Sequence, residues 1–572
     1  MKKIVQFSFA LLLISGNTSY AQFFKWGVRG GSNSNSGDFA NGVVTDTAGN
    51  SVFVGLIQPA TVTFGYATTT YTTVTTNNAT TDMYIAKVNK NGSYVWIRTI
   101  GSKSADGGSD IGMDNNNNYY VTGSVGDTAD LGNSVKIQKA GGGSFAAKYN
   151  SAGVCQWATL IGPGIWESAT DASGNTYAMG VFAGTTTVGT YTLTSIAGSN
   201  DVFVVKIDPS GAIVWAIRTG GGDDDFSAGG AGTGSITVDM NGNPYIAGSF
   251  VNTTTIGTTT VTASAGSKTG VVVAKLRAAD GSVVWAKGAD GSDVTYNNYL
   301  NGIGFSKSEN ALYLVGSFMG GITWGTTALT SSANYNPFVA KLDTAGVAQW
   351  AVKAASFAFV KGCGVTTDYN GNVFFTGWGQ NGTVTFGTQN TSFVAAKAGY
   401  VGKITSAGTV QWGKVINNAA GAGNYNGFID IDFGGIDADK TGNIYVVGNY
   451  SGTLALDAYN LHCNGEPTGF YDVFLAKLDP NALTGIEEQI EHDSFIVYPN
   501  PSNGMINVSL NYKSTEVTMN IFNAAGQLVF SKKINTSYTS TATIDMAGYS
   551  KGIYLTQIVT DKGVTSKRFV IE

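Results

Sequence analysis

The chain has 572 residues, of which 78 are Gly, only 12% are charged, and the formal net charge is −5. A hydrophobic share of 43% with 12% aromatics excludes a disordered chain, and nine prolines exclude collagen. So little charge excludes a long coiled coil, and the acidic balance argues against nucleic-acid or anionic-membrane binding by charge alone.

The first 21 residues read as a secretory leader. Lys2 and Lys3 precede the apolar stretch Ile4 to Ile14, and Ser19-Tyr20-Ala21 places small residues where a signal peptidase reads, so cleavage is expected between Ala21 and Gln22. No later stretch approaches the roughly 18 apolar residues of a spanning helix, so no transmembrane segment is expected.

Residues 22–480 repeat. Tryptophan recurs at 26, 96, 157, 215, 285, 350 and 412, at intervals of 58 to 70 residues. Lysines 87, 148, 206, 341 and 403 each precede their tryptophan by nine residues, and Lys275 precedes its own by ten. A second element, Asp-x-x-Gly-Asn followed by an aromatic or β-branched run, starts at Asp46, Asp171, Asp239, Asp368 and Asp439, with weaker copies at Asp114 and Ser306. Gly tolerates positive φ and Asp bonds nearby backbone N–H groups, so these are turn signals. Each unit then holds four short strands, and seven such units without helical periodicity predict a seven-bladed β-propeller. The seventh unit, from Asp472, lacks a following tryptophan, while an orphan strand surrounds Trp26. The N-terminal strand is therefore expected to complete the last blade and close the ring.

On these seven copies the blades resemble the SBBP family of bacterial propeller repeats, and more loosely the NHL type. The resemblance implies the fold and leaves the activity open, because propellers host many functions.

Residues 481–494 read as a polar, acidic linker. Residues 495–572 alternate apolar and polar between Asn, Gly and Ser turns, which predicts a small β-sandwich. Tyr498-Pro499-Asn500-Pro501, Asn523-Ala524-Ala525-Gly526, Lys551-Gly552-Ile553-Tyr554 and Lys567-Arg568-Phe569 occur in that order. Together they resemble the type A C-terminal sorting domain of the type IX secretion system. That resemblance implies the type IX machinery as a partner, passage across the outer membrane, removal of the domain, and attachment to the cell surface or release.

Catalytic inventory is sparse. Two histidines, His462 and His492, leave no room for a histidine triad or multi-histidine metal site, and no Walker loop, G-x-S-x-G elbow or H-E-x-x-H is present. No catalytic residue and no cofactor are expected. Asp223-Asp224-Asp225 would suit a hard cation such as Ca²⁺ or a sugar, with Asp38, Asp106 and Asp293 in comparable connections. Trp166, Trp324 and Trp378 fall outside the repeated position, and Trp166 joins the aspartates as a candidate binding residue. The repeated lysines are expected in solvated or snorkelling positions. Cys155, Cys363 and Cys463 do not form a disulfide framework of the small secreted kind. Turns between strands one and two, and three and four, are short, whereas the remaining connections are long and variable, so binding is expected on the face that carries the latter. The reading is a secreted or surface-displayed, non-catalytic binding or adhesion module for an extracellular glycan or protein. The alternatives are a carbohydrate-active enzyme using a carboxylate pair and a structural envelope or matrix protein.

Overall fold

Turn signals that recur every dozen residues leave only short strands between them, and the computed structural model contains strands and no helix among its described residues. The structure describes residues 23–32, 37–59, 61–66, 69–75, 80–196, 198–221, 226, 234–263, 269–291, 298–354, 359–380, 382–393, 397–416, 429–430, 435–457, 459–463, 471–481, 495–510, 516–535, 540–560 and 563–572. The leader and its expected cleavage point at Ala21 and Gln22 lie outside them. No helix long and apolar enough to cross a membrane is found among the described residues. Contacts divide the chain into two units, Gln22–Leu483 and a C-terminal unit from Thr484.

In the first unit, among the described residues, four antiparallel four-stranded sheets, one eight-stranded sheet and one seven-stranded sheet are found. The eight-stranded sheet is two four-stranded runs joined edge to edge, so that seven four-stranded runs, called sheets below, follow one another. The first is Phe39–Thr45, Ser51–Ile57, Asp82–Val88 and Tyr94–Ile100. The first strands of the next five are Gly107–Met113, Ile165–Thr170, Gly234–Val238, Tyr299–Ser306 and Phe359–Thr367. The seventh opens with the short segments Ile429–Asp430 and Ile436–Ala438, continues through Ile444–Tyr450 and Asp472–Leu478, and takes Phe24–Ser32 as its outer strand. First strands pack against one another in sequence order, and Ile436–Ala438 packs against Phe39–Thr45 of the first sheet.

The lysine–tryptophan spacing has a direct cause. Each pair sits cross-strand in the third and fourth strands, as in Lys87↔Trp96, Lys206↔Trp215 and Lys403↔Trp412. The seventh pair joins distant parts of the chain, Lys477↔Trp26. Each lysine ammonium lies over an aromatic ring, for example Lys275 at 4.9 Å from the Tyr245 centroid and Lys477 at 5.2 Å from that of Tyr445, which combines snorkelling with a cation–π contact.

Tryptophan also joins neighbouring sheets. Trp26 Nε1–H donates to Lys90 O at 2.9 Å, Trp96 to Ser151 O, Trp157 to Pro209 O, Trp215 to Ala278 O, Trp285 to Thr344 O and Trp350 to Ser406 O. Every acceptor lies in the third-to-fourth turn of the next sheet. The glycine of that turn lies against the indole at positive φ. Gly281, at φ 73°, would bring a Cβ within 2.9 Å of Trp215, so the turn needs glycine for both conformation and space. Trp412 instead meets Phe23 edge-on at 4.9 Å.

The second-to-third connections differ from expectation. Rather than irregular loops, they contain two-stranded hairpins: Thr61–Tyr66 with Thr69–Thr75, Ala129–Asp130 with Lys136–Ile137, Thr185–Val188 with Tyr191–Thr194, Thr253–Ile256 with Thr259–Thr262, Gly382–Phe386 with Gln389–Phe393, and Thr453–Leu456 with Tyr459–His462. The fifth sheet builds its copy from the far ends of two long strands, Gly320↔Ser331 to Trp324↔Thr327. Each buries an apolar anchor next to its turn, Phe64, Leu131, Val188, Ile256, Trp324, Phe386 or Leu456, and most bury a second apolar side chain as well, such as Val62, Leu193, Val384 or Leu461. Several also cover the outer edge of the preceding sheet, as in Gly30↔Phe64 and Asp290↔Thr323, and in the 2.9 Å bond from Gly220 N to Thr255 O. Covered edges cannot template pairing with another chain.

The C-terminal unit packs the three-stranded sheet Phe495–Tyr498, Met505–Leu510 and Ser540–Asp545 against the four-stranded sheet Leu528–Asn535, Glu516–Asn523, Gly552–Thr560 and Gly563–Ile571. Phe495, Ile506, Met519, Ile558 and Phe569 lie in its core.

Candidate functional site

The two ends of each sheet carry different chemistry. At the end formed by the first-to-second and third-to-fourth turns, the acids serve the backbone. Asp239 Oδ1 accepts from Asn241 N and Asn243 N at 2.9 Å, while its Oδ2 accepts from the Tyr245 hydroxyl and from Lys275 Nζ at 3.2 Å. Burial alone would raise this carboxyl, but the hydrogen bonds from Asn243 and Lys275 outweigh it and hold Asp239 below its usual range. Asp439 is held down in the same way.

At the opposite, connection end, Asp38 and Asp106 bracket loops. Asp38 accepts Ser32 N and Gln58 N, both at 2.7 Å, and Asp106 accepts Ser102 N and Gly126 N. Burial raises both, Asp38 to about 6. Their oxygens tie neighbouring segments of the chain together, Ser32 to Gln58 and Ser102 to Gly126. Asp223, Asp224, Asp225 and Asp293 lie outside the described residues. Among the described residues no group of three or more His, Cys, Asp or Glu is arranged to hold a metal ion.

Trp166 occupies a bulge on the first strand of the third sheet, half-buried against the apolar cluster of Met179 and Ile236. Part of the ring keeps solvent access. Trp324 is the buried hairpin anchor. The three cysteines are buried and form no disulfide. His462 sits in a hairpin with Nδ1 2.9 Å from the Thr453 hydroxyl.

Two groups that the sequence did not assemble stand next to bulges, although it singled out Trp378 of the second. Asp110, just past the bulge of the second sheet, reaches the third sheet, where its Oδ2 accepts Ser168 N at 2.9 Å and the Ser168 hydroxyl at 3.0 Å. Burial pushes Asp110 up to about 6. Glu167 is raised well above the carboxylate range by burial and then by the Asp110 charge, so the two acids are electrostatic neighbours.

The other group is cationic and aromatic. Lys361 and Trp378 are cross-strand partners at the connection end of the sixth sheet, and Trp378 also pairs with Gly399 on the third strand. Lys361 Nζ lies 5.4 Å from the Trp378 ring centroid and 5.3 Å from that of Tyr299, and Lys397 Nζ lies 4.3 Å from Trp378. Tyr299 in turn neighbours Tyr335, centroids 5.8 Å apart. Trp378 and Lys397 are buried, whereas Lys361, Tyr299 and Tyr335 keep solvent access. The Tyr400 hydroxyl donates to Lys361 O at 2.8 Å, and Asn301 Nδ2 donates to Gly362 O at 2.6 Å, which fixes the strand that carries Lys361.

In the C-terminal unit the four sequence elements build local structure. Asn500 Oδ1 accepts Val570 N at 2.9 Å and its amide donates to Arg568 O, so Tyr498-Pro499-Asn500-Pro501 docks on the last strand. Asn523 Oδ1 accepts Ala525 N and Gln527 N around Gly526, at φ 76°. Gly552 opens the strand on which Tyr554 stacks on Phe569 at 5.6 Å, and Lys567 lies over Phe495 at 5.8 Å.

Residues 496–572 match the family described as the secretion system C-terminal sorting domain. No curated protein matches the chain. Among solved structures, the chain is similar to a protein of unknown function from Bacteroides caccae at 9% identity, over 58% of this chain and 89% of that one, with a TM-score of 0.31. It is similar to PorZ, a surface component of the type-IX secretion system of Porphyromonas gingivalis, at 11% identity over 92% and 74%, with a TM-score of 0.28. A glycoside hydrolase of family 32 from Bifidobacterium adolescentis follows at 8% identity over 96% and 95%, with a TM-score of 0.22. All three scores are too low to bear on function. The sorting domain at residues 496–572 marks the protein as one exported by type IX secretion to the cell surface or the extracellular space.

Proposed function

We propose that the seven sheets are the blades of a seven-bladed, SBBP-like propeller closed by the N-terminal strand. We further propose that the exported protein is a non-catalytic binding or adhesion module for an extracellular glycan or protein. Closure is supported by the Lys477↔Trp26 pair and by the Trp26 bond to Lys90, which repeat at the chain ends what the other sheets do internally. The binding role is carried by one observation. At the connection end, residues in equivalent register diverge: Phe39, Gly107, Tyr299 and Lys361 occupy the same place opposite the second strand. A rigid scaffold with variable residues at one end suits recognition. Glycan and surface-protein arrays probed with the full chain, with and without EDTA, test this reading. Saturable binding supports it, and silence on both arrays counts against it in favour of an envelope or matrix component.

A second reading, a carbohydrate-active enzyme with a carboxylate pair, is favoured by Asp110 and Glu167 alone, because raised carboxyls from adjacent sheets can divide acid and base roles. Polysaccharide hydrolysis that disappears in both Asp110→Asn and Glu167→Gln would establish it.

A further inference from the structure

The sixth sheet carries lysines at a corner where three other sheets carry an acid and the second, fourth and fifth carry the uncharged Gly143, Gly270 and Asn336. In the first, third and seventh sheets the third strand begins with a fully buried aspartate: Asp82, Asp201 and Asp472. In two of them an arginine two pairs along, on the outer strand, reaches that aspartate. The Arg218–Asp201 distance is 2.8 Å and the Arg29–Asp472 distance is 3.7 Å. Register places Ala398 where the aspartate stands, opposite Gly379, and Val415 where the arginine stands, opposite Tyr400. The acid and its arginine are both absent from these positions. The residue before Ala398 is the buried Lys397, and the residue following the second-strand glycine is Trp378, where the second and fifth sheets have Ser124 and Ser317.

We propose that this corner, at the connection end of the fifth and sixth sheets, binds an acidic sugar unit, carboxylated or sulfated, of an extracellular polysaccharide. The proposal rests on the binding reading above and narrows it to a ligand class. Lys361 is the contacting cation, half-buried and held between the Tyr299 and Trp378 rings. Lys397, buried on the Trp378 ring, brings a second ammonium group to the same corner. Tyr299 and Tyr335 supply the flat, partly exposed rings against which a pyranose face packs. An acidic peptide would use the two lysines equally well but has no need of the tyrosine pair, and this favours a sugar.

The test uses the full chain and four polymers: polygalacturonate, dextran sulfate, neutral dextran and polyglutamate. Binding of either acidic polysaccharide, with affinity falling as salt rises and with dextran and polyglutamate clearly weaker, is the expected result. The two acidic arms separate carboxylate from sulfate. Lys361→Gln should weaken that binding about tenfold or more, the size of one lost charge-assisted hydrogen bond. Its melting temperature should fall by only a few degrees, the size of the lost cation–π contacts, so that the folded variant can be assayed. Lys353→Gln, on the exposed outer strand of the fifth sheet, should bind as the parent does. Equal binding of dextran, equal binding of polyglutamate, or undiminished binding by Lys361→Gln each overturns the proposal. If no acidic polymer binds while an array still reports a ligand, this proposal falls and the binding reading stands.

Discussion

The turn end and the connection end of the sheets are built on the same strands yet follow different rules. At the turn end, six tryptophans donate to six carbonyls of the next sheet, and acids such as Asp239 and Asp439 are surrounded by donors that hold them ionised. At the connection end, equivalent positions carry Phe39, Gly107, Tyr299 and Lys361, and Asp38 and Asp106 are pushed up by burial. Repetition therefore marks where side chains hold the sheets together. Divergence at matched register marks where they are released from that task.

The comparison breaks most visibly at Trp26. This indole is buried, pairs with Lys477 and bonds Lys90 O, so Trp26→Ala should cost about 3–5 kcal/mol, as other large-to-small core changes do. Trp215→Ala removes the corresponding contacts within the run of sheets and should cost about the same. Chemical denaturation of both variants decides the point. A Trp26 variant as stable as the parent would mean that the N-terminal strand is not an equal member of the seventh sheet. A smaller loss is expected from Gly281→Ala, at φ 73° and facing Trp215. The strain and the displaced indole should together cost about 1–3 kcal/mol. Gly526→Ala also sits at positive φ but meets nothing within 4 Å. It should lose less, so the difference between the two isolates the tryptophan contact.

Legibility in the sequence follows the same division. The tryptophan interval and the nine-residue offset from lysine are visible because one cross-strand pair, followed by one glycine turn, recurs with little change in length. The hairpins had a signal too. Thr-Phe-Gly-Tyr at 63–66, Thr-Val-Gly-Thr at 187–190, Thr-Ile-Gly-Thr at 255–258, Thr-Trp-Gly-Thr at 323–326 and Thr-Phe-Gly-Thr at 385–388 mark five of the buried anchors. In segments so rich in threonine those four-residue echoes resemble loop composition. The Lys361, Trp378 and Lys397 corner was not legible. Its members are 17 and 19 residues apart in the chain, and only the registers of three strands bring them together. That Ala398 stands where three other sheets have a buried aspartate is likewise invisible until the sheets are aligned by pairing. Asp223, Asp224 and Asp225 stood out in the chain as a charge run, whereas Asp110 and Glu167 are single acids, raised by a neighbouring strand that the linear sequence does not display.

The smallest effect sharpens the comparison through pH. Asp110 has its folded-state pKa raised to about 6 from an ordinary 3.8, first by burial, although Ile111 and Ser168 donate to it. A carboxyl raised in this way keeps its proton longer in the folded chain than in the unfolded one. Its contribution to stability is complete below about pH 4 and is lost as pH rises through about 6. Asp110→Asn removes that titration while leaving an amide oxygen to accept from Ser168. The variant's melting temperature should therefore fall less than the parent's between pH 4 and pH 7, and Glu167→Gln in addition should flatten the profile further. Asp239, held below its usual range, predicts the opposite sign. Its contribution is present above about pH 4 and lost as pH falls through the depressed value, so Asp239→Asn should remove part of the parent's loss in acid. Melting curves from pH 2 to pH 7 on the single variants check both signs at once. Profiles for Asp110→Asn and Asp239→Asn that shift in the same direction would mean that the two acids do not differ in the way their hydrogen bonds and burial require.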